Sequence, residues 1–203
     1  MISAPDRLMK FSVETRHVET FIDCAVAVIN GVMVFGLLAP QGTEPRSLLP
    51  TLPAVAAYAL SFVLIAIYWN RYRDMLHASW AVDGRAMWAN LHLVFWLSLV
   101  PFATAWLSQN PRAILPTLVY ALMLLFCAFA YAILQRLLLR GNGLDVPFAS
   151  AAEINIQEVL PIVLYVVAMC TAFVSTIVSD LILASAAGFL YFSGSPRRAI
   201  DRT

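Results

Sequence analysis

Polar residues inside long apolar runs are the first candidates for chemistry, because a charged side chain costs about 2.5–3.5 kcal/mol at the centre of a membrane helix. Asp23 lies in the run 18–38, and Asn90 and His92 lie in the run 86–106. A carboxylate or an imidazole there could bind a proton or a cation, or it could hydrogen-bond to a neighbouring helix. For Asp23 and His92 we favour the structural role, and we expect Asn90 to bond to another helix.

Catalytic and metal-binding patterns do not emerge from the remaining residues. No nucleophile is paired with a base, no glycine-rich phosphate loop is present, and the three cysteines show no zinc or disulfide spacing. The net charge of +1 gives no sign of nucleic-acid binding. The sequence therefore predicts a protein that is not an enzyme, with no catalytic residue, no metal site and no cofactor.

Composition indicates whether the helices that carry these residues are surrounded by water or by lipid. Hydrophobic residues make up 61% of the 203-residue chain and charged residues 12%, whereas soluble domains carry about 25% charged residues. So little polar surface cannot cover a core in water, but lipid removes that need. The sequence predicts an all-α integral membrane protein whose function lies within the bilayer.

Apolar runs of about 20 residues, the length that crosses a bilayer as a helix, define the elements. The run 159–192 is too long for one crossing, and Ser175, Thr176, Ser179 and Asp180 favour a turn within it. We therefore predict an N-terminal arm (1–15), a membrane domain (16–195) and a tail (196–203). The six predicted helices span residues 18–38, 54–69, 86–106, 114–134, 155–174 and 176–192.

Basic residues favour six helices over five, since they concentrate on the cytoplasmic side of membrane proteins. With the N-terminus inside, only Arg46 and Arg112 lie outside. The other eleven basic residues lie inside: Arg7, Lys10, Arg16, Arg71, Arg73, Arg85, Arg136, Arg140, Arg197, Arg198 and Arg202. We therefore expect both termini to be cytoplasmic.

The first helix has two distinct sides. At about 100° per residue, Asp23 and Asn30 share one side, and the other carries an apolar stripe, flanked by two small residues. The stripe consists of Val28, Val32 and Phe35, and its flanks are Cys24 and Gly31. Such a stripe is typical of lipid contact or helix packing, or of a pore wall whose hydrophobic constrictions gate by dewetting.

Three segments carry a resemblance to a known family. They are residues 18–23 with the apolar helix that follows, residues 61–69 (Ser-Phe through Tyr-Trp), and residues 88–106 (Trp-Ala-Asn-Leu through Pro-Phe). In this order and spacing they resemble the first three helices of the transmembrane protein 175 family, which are potassium-permeable channels of lysosomes and bacteria. The resemblance covers about residues 16–107.

The resemblance implies a homotetramer in the cytoplasmic (inner) membrane, with six helices per chain, K⁺ and other monovalent cations as permeant ions, and a pore lined by the first helix. Its constriction positions fall on Val28, Val32 and Phe35, and Gly31 and Cys24 would also line the pore. A supporting network is implied at Arg16, His17, Phe21, Asp23, Trp69 and Asn90.

Three positions depart from the family pattern. The motif serine is Ile22, the motif arginine aligns with His17 beside Arg16, and a pore-side threonine is Gly31. We therefore expect weaker selectivity for potassium over sodium than in family members that keep the threonine at position 31. Two alternatives remain: a proton-coupled secondary transporter, in which Asp23 or His92 would titrate, and a non-conducting membrane scaffold.

Overall fold

Six α-helices make up most of the part of the chain that the structure describes. The computed structural model describes residues 15–77, 82–141 and 156–193. The helices are α1 (Thr15–Val34), α2 (Leu52–His77), α3 (Gly84–Gln109), α4 (Ile114–Gly141), α5 (Ile156–Ala172) and α6 (Thr176–Phe192), and a 3₁₀ helix (Pro45–Thr51) precedes α2. The predicted all-α fold and helix count are confirmed. The predicted tail and all but the last residue of the predicted arm lie outside the described residues.

Four of the helical segments are long and apolar enough to cross a membrane: Arg16–Val34, Pro45–His77, Gly84–Gln109 and Ile114–Leu139. The other two helices, α5 and α6, have 17 residues each, which is the lower end of the length that spans a bilayer. A turn separates them where the sequence predicts it. The backbone N–H groups of Val174 and Ser175 donate to the Thr171 carbonyl, and the Ser175 hydroxyl caps α6 by accepting from the Val178 N–H.

The helices pack in chain order and close through α2. α1 packs on α2 and α3, each of α2 to α5 contacts the helix that follows it, and α6 returns to α2. Small residues allow these close approaches, as is usual where helices associate in lipid. Five alanines are completely buried: Ala103, Ala121, Ala130, Ala168 and Ala186. α1 therefore lies at the edge of the bundle, held from one side only.

Several helix boundaries differ from the hydropathy limits. α2 continues eight residues past Trp69 and α4 seven residues past residue 134, because hydropathy marks the lipid boundary while a helix continues into the polar region beyond it. α1 ends at Val34 rather than at residue 38, and three i→i+3 hydrogen bonds tighten residues 35–37. Gly36 lies in this turn, where a Cβ would be 3.1 Å from the Cβ of Ala105 on α3.

Candidate functional site

The outer face of α1 carries the apolar stripe. Phe35 is 83% exposed, Val28 64% and Val32 51%. Cys24 and Gly31 share this face, and a Cβ added at Gly31 would meet no atom within 4 Å. The five residues that the sequence assigns to a pore wall thus lie on one open surface of the chain. Their role in permeation stays a prediction.

The inner face of α1 packs against the bundle. Its buried residues follow helical spacing: Val18, Ile22, Val26, Ile29 and Met33. Asp23 and Asn30 lie beside this apolar row, Asp23 half-buried and Asn30 with its carbonyl oxygen Oδ1 buried. Helical phase therefore separates a polar, bundle-facing side of α1 from its open apolar side.

A polar ladder joins α1 to α2. The Trp69 Nε1–H donates to Asp23 Oδ1 at 2.7 Å, so Trp69 is the partner of Asp23 among those that the sequence offers. One turn earlier on α1, Glu19 faces Arg73 Nε at 3.3 Å and His77 Nε2 at 3.5 Å. The Arg73 guanidinium also lies over the Trp69 ring, 5.0 Å from its centroid. α1 and α2 run antiparallel, so residues four apart on α1 face residues four apart on α2. The two helices are thus linked at two successive turns, Asp23 to Trp69 and Glu19 to Arg73.

The other residues of the predicted network lie apart from this ladder. Arg16, His17 and Phe21 are exposed on α1. Asn90 is buried on α3, and neither atom of its side-chain amide has a hydrogen-bond partner among the described residues. The expected bond from Asn90 to another helix is therefore absent within the described part of the chain.

His92 has a local partner on its own helix. The Trp96 Nε1–H donates to His92 Nε2 at 3.0 Å, one turn further along α3, and the two rings meet edge to face. This bond fixes the imidazole orientation, which suits the structural role, but His92 is exposed, whereas the sequence indicated a buried histidine. Across residues 15–77, 82–141 and 156–193 no three His, Cys, Asp or Glu side chains are grouped so as to hold a metal ion.

Two buried polar networks were missed by the sequence reasoning. In the first, Ser61 on α2 bonds to the hydroxyls of Thr104 (2.7 Å) and Tyr120 (2.9 Å). The Thr104 hydroxyl donates its proton to the Val100 carbonyl, and each hydroxyl has only one proton. Ser61 therefore donates to Thr104, and Tyr120 donates to Ser61. Hydroxyls inside apolar runs were the available signal, but 43 and 59 residues separate Ser61 from its partners.

The second network contains Arg71, which the charge count assigns to the cytoplasmic side without indicating that its side chain is buried. Arg71 lies within α2 and is only 6% exposed. Its Nη2 donates to the Leu190 carbonyl at 3.0 Å and to the Ser193 hydroxyl. A cation at the C-terminal end of a helix is favoured by the helix dipole and by the unpaired carbonyls there. Arg71 thus ties α2 to the end of α6.

These features define a class: a multi-pass α-helical membrane protein whose first helix is anchored on one side and open on the other. Residues 17–101 match the family model described as the endosomal/lysosomal potassium channel TMEM175. A potassium channel of Chryseobacterium sp. is 37% identical over 157 residues, which cover 77% of this chain and 82% of that protein. The chain belongs to the TMEM175 family.

Two further comparisons agree with this assignment. A potassium channel of Streptomyces collinus is 29% identical over 155 residues, which cover 70% of this chain and 75% of that protein. The crystal structure of a TMEM175 homolog from Chamaesiphon minutus, described as a lysosomal potassium-selective channel, superposes with a TM-score of 0.73 at 24% identity. That superposition covers 88% of this chain and 97% of the homolog, so the two share a fold.

Proposed function

We propose that the chain is a potassium-permeable cation channel that assembles as a homotetramer, with α1 of each subunit lining a central pore. The observation that carries this proposal is the exposed apolar face of α1 on a helix whose opposite face is anchored in the bundle. The names of the related bacterial proteins support the choice of ion.

A pore between subunits fits the packing of the chain. The centre of the bundle is filled by side chains such as Tyr72, Tyr120 and Tyr165, each at most 1% exposed. One α1 face cannot enclose a path by itself, whereas rotational symmetry brings copies of the same face together around an axis. We therefore place the permeation path outside the single bundle and along its α1 edge.

Within that path, Val28, Val32 and Phe35 would form three apolar constrictions, with Phe35 nearest the extracellular mouth. Apolar rings offer no ligands to replace a hydration shell and gate by dewetting. Selectivity would then come from pore width and partial dehydration. Gly31 supplies no hydroxyl to the lumen, which is why we expect modest discrimination between potassium and sodium.

The orientation that we propose places both termini in the cytoplasm of a bacterial cell, with the chain in the inner membrane. An even number of crossings puts both ends on one side, and the basic residues favour the cytoplasmic side. Cysteines introduced at Asn110 and Val174 should then react with an impermeant reagent from outside, and cysteines at Gly84 and Gly141 from inside. Labelling of Val174→Cys and Gly141→Cys from the same side would refute six crossings.

Conductance of the purified protein in planar bilayers tests the pore assignment. Val32 and Val163 are a matched pair of exposed valines, 51% and 47% exposed, on α1 and on α5. We expect Val32→Ala and Val28→Asn to raise conductance, since they widen or polarise a constriction. Val163→Ala should leave conductance unchanged. Gly31→Thr should shift the reversal potential toward that of potassium. If Val32→Ala and Val163→Ala behave alike, α1 does not line the pore.

Assembly has its own test in the native cysteines. Cys24 lies on the open face of α1 and Cys170 is exposed on α5. A short bis-maleimide should join chains through Cys24 if α1 surrounds an axis, so Cys24→Ala should abolish the product and Cys170→Ala should keep it. Native mass spectrometry should give four times the chain mass of 22.4 kDa. A monomer in lipid nanodiscs would defeat both the assembly and the channel.

The contact between Asp23 and Trp69 counts against the carrier alternative. The Asp23 side chain accepts a 2.7 Å bond from the Trp69 indole N–H, which is the structural role that the channel proposal gives it, whereas the carrier needs this residue as its coupling site. A flux of potassium through liposomes that saturates and requires a proton gradient would restore the carrier. A complete absence of flux would favour the scaffold.

A further inference from the structure

A small cavity lies where α2, α4, α5 and α6 meet, and none of its lining residues belongs to α1. Its volume is about 10 Å³, and its polar wall consists of Tyr68, Arg71, Tyr131 and Glu158. Alanines and a proline complete the wall, among them Ala132 and Pro161. The cavity therefore combines a small volume with four polar side chains from three helices, α2, α4 and α5.

Two hydroxyls in this wall lack well-formed hydrogen bonds to protein. Tyr68 and Tyr131 are 3% and 5% exposed. Within the part of the chain that the structure describes, the Tyr131 hydroxyl has no hydrogen-bond partner, and the Tyr68 hydroxyl interacts with that of Tyr165 without a well-aligned hydrogen bond. Both side chains line the cavity, and the centroids of their rings lie 5.8 Å apart in an edge-to-face contact. Buried hydroxyls in native proteins nearly always have a partner, so these two point to a ligand.

The charged residues of the wall are already fixed by other groups. Arg71 is bound to the Leu190 carbonyl, and Glu158 accepts from Gln135 Nε2 at 2.8 Å, with Arg136 Nη2 at 3.7 Å. A guanidinium has five N–H donors and a carboxylate about four lone-pair positions, so both can bind further groups. Their opposite charges disfavour a bound cation and a bound anion alike. A small neutral ligand that donates and accepts fits this wall best.

We propose that the cavity binds one water molecule, which bridges the hydroxyls of Tyr68 and Tyr131 to the charged side chains of Arg71 and Glu158. Space of about 10–15 Å³ holds one water, and such a water typically has two to four polar partners. Bound there, it joins α2, α4 and α5 at the point where Arg71 already joins α2 to α6. The site is independent of the pore that we propose along α1.

Tyrosine-to-phenylalanine variants test the bridging role by the sign of their effect. If the water is bound, Tyr68→Phe and Tyr131→Phe each remove a satisfied hydroxyl and should lower the Tm by about 2–4 °C. The control is Tyr72→Phe, because the Tyr72 hydroxyl is also buried without a partner among the described residues but does not line the cavity. This control should leave the Tm unchanged or raise it. If all three variants shift the Tm alike, or if the two cavity variants raise it, the proposal is wrong.

A second measurement detects the water in the unaltered protein. X-ray radiolysis produces hydroxyl radicals from water, and a water bound in the cavity would oxidise Tyr131 although its side chain is buried. We expect oxidation at Tyr131 that carries ¹⁸O after incubation in labelled water. Ala132→Val, which fills the cavity, should abolish it. No oxidation of either cavity tyrosine in the wild-type protein would overturn the proposal.

Discussion

Gly31 and Gly36 offer a pair of substitutions whose effects on stability should have opposite signs. A Cβ at Gly31 meets no atom within 4 Å, whereas a Cβ at Gly36 would lie 3.1 Å from the Cβ of Ala105 and 3.3 Å from the Met33 carbonyl oxygen. Gly31 is inside α1 and Gly36 is in the turn that follows it. The two residues therefore separate the gain in helix propensity from the penalty of a close contact.

The magnitudes follow from these surroundings. Replacing an unhindered helical glycine by alanine stabilises by about 0.5–1 kcal/mol. A chain of this length changes its Tm by about 2–4 °C per kcal/mol, so Gly31→Ala should raise the Tm by about 1–4 °C. Gly36→Ala has little helix propensity to gain, and a methyl group forced into a packed contact costs about 1–3 kcal/mol. Its Tm should fall by about 2–12 °C.

Thermal unfolding followed by size-exclusion chromatography in detergent measures both shifts on the assembled protein. A lower Tm for Gly31→Ala would show that Gly31 packs against another chain rather than facing open space, and the proposed position of α1 would have to change. An equal rise for both variants would show that α1 and α3 do not approach closely at Gly36. Single-channel recording of Gly31→Ala adds an independent readout, since a methyl group in the lumen should alter conductance.

Substitutions at three residues test the polar contacts, and all of them are measured by thermal unfolding. Asp23→Leu leaves the Trp69 N–H without its acceptor and should lower the free energy of unfolding by about 1–3 kcal/mol. Asp23→Asn keeps an acceptor oxygen and should lower it by less. Equal losses of stability in the two variants would contradict the hydrogen bond. Ser61→Ala strands the buried Tyr120 hydroxyl and should also cost about 1–3 kcal/mol, while no loss would mean that the hydroxyl finds another partner. Arg71→Met should cost about 1.5–3 kcal/mol by removing a charged donor from α6, and a gain in stability would show that burial of the charge outweighs its bonds.

Much of the fold could be predicted because lipid imposes simple rules. Apolar runs of about 20 residues located the helices, and the serine at 175 marked the break between α5 and α6 because its hydroxyl can cap a helix. Helical phase placed Val28, Val32 and Phe35 opposite Asp23. These features depend on local sequence alone, so no knowledge of tertiary packing was needed.

Arg71 shows why other features could not be predicted. Next to Arg73, at the end of an apolar run, it has the sequence context of a solvated flanking charge. Its burial depends on the end of α6 lying nearby, 119 residues further along the chain. The ladder partner Glu19 was missed for the same reason, since nothing local indicates that α2 continues far enough to bring Arg73 and His77 beside it.

The same distinction applies to the candidate site. Residue types and phase identified the open stripe, and the sequence offered Trp69 as one of several candidate partners for Asp23 without selecting it. They did not reveal that the Asn90 side chain is buried without a partner among the described residues, because hydrogen-bond geometry depends on helix rotation at a scale of a few ångströms. Single-sequence patterns therefore define faces of helices better than they define contacts between them.

In mechanical terms, α1 is a beam that is fixed by polar or close contacts near both ends and held between them by the apolar packing of its inner face. The ladder at Glu19 and Asp23 fixes its N-terminal part to α2, and the close approach at Gly36 sets its C-terminal end against α3. A load on such a beam produces its largest deflection between the supports. Gly31 lies in that interval, and the absence of a side chain makes the helix least stiff there. A force transmitted through α2 or α3 would thus bend α1 in the middle of the apolar stripe. A small bend there would change the width of the permeation path that we propose.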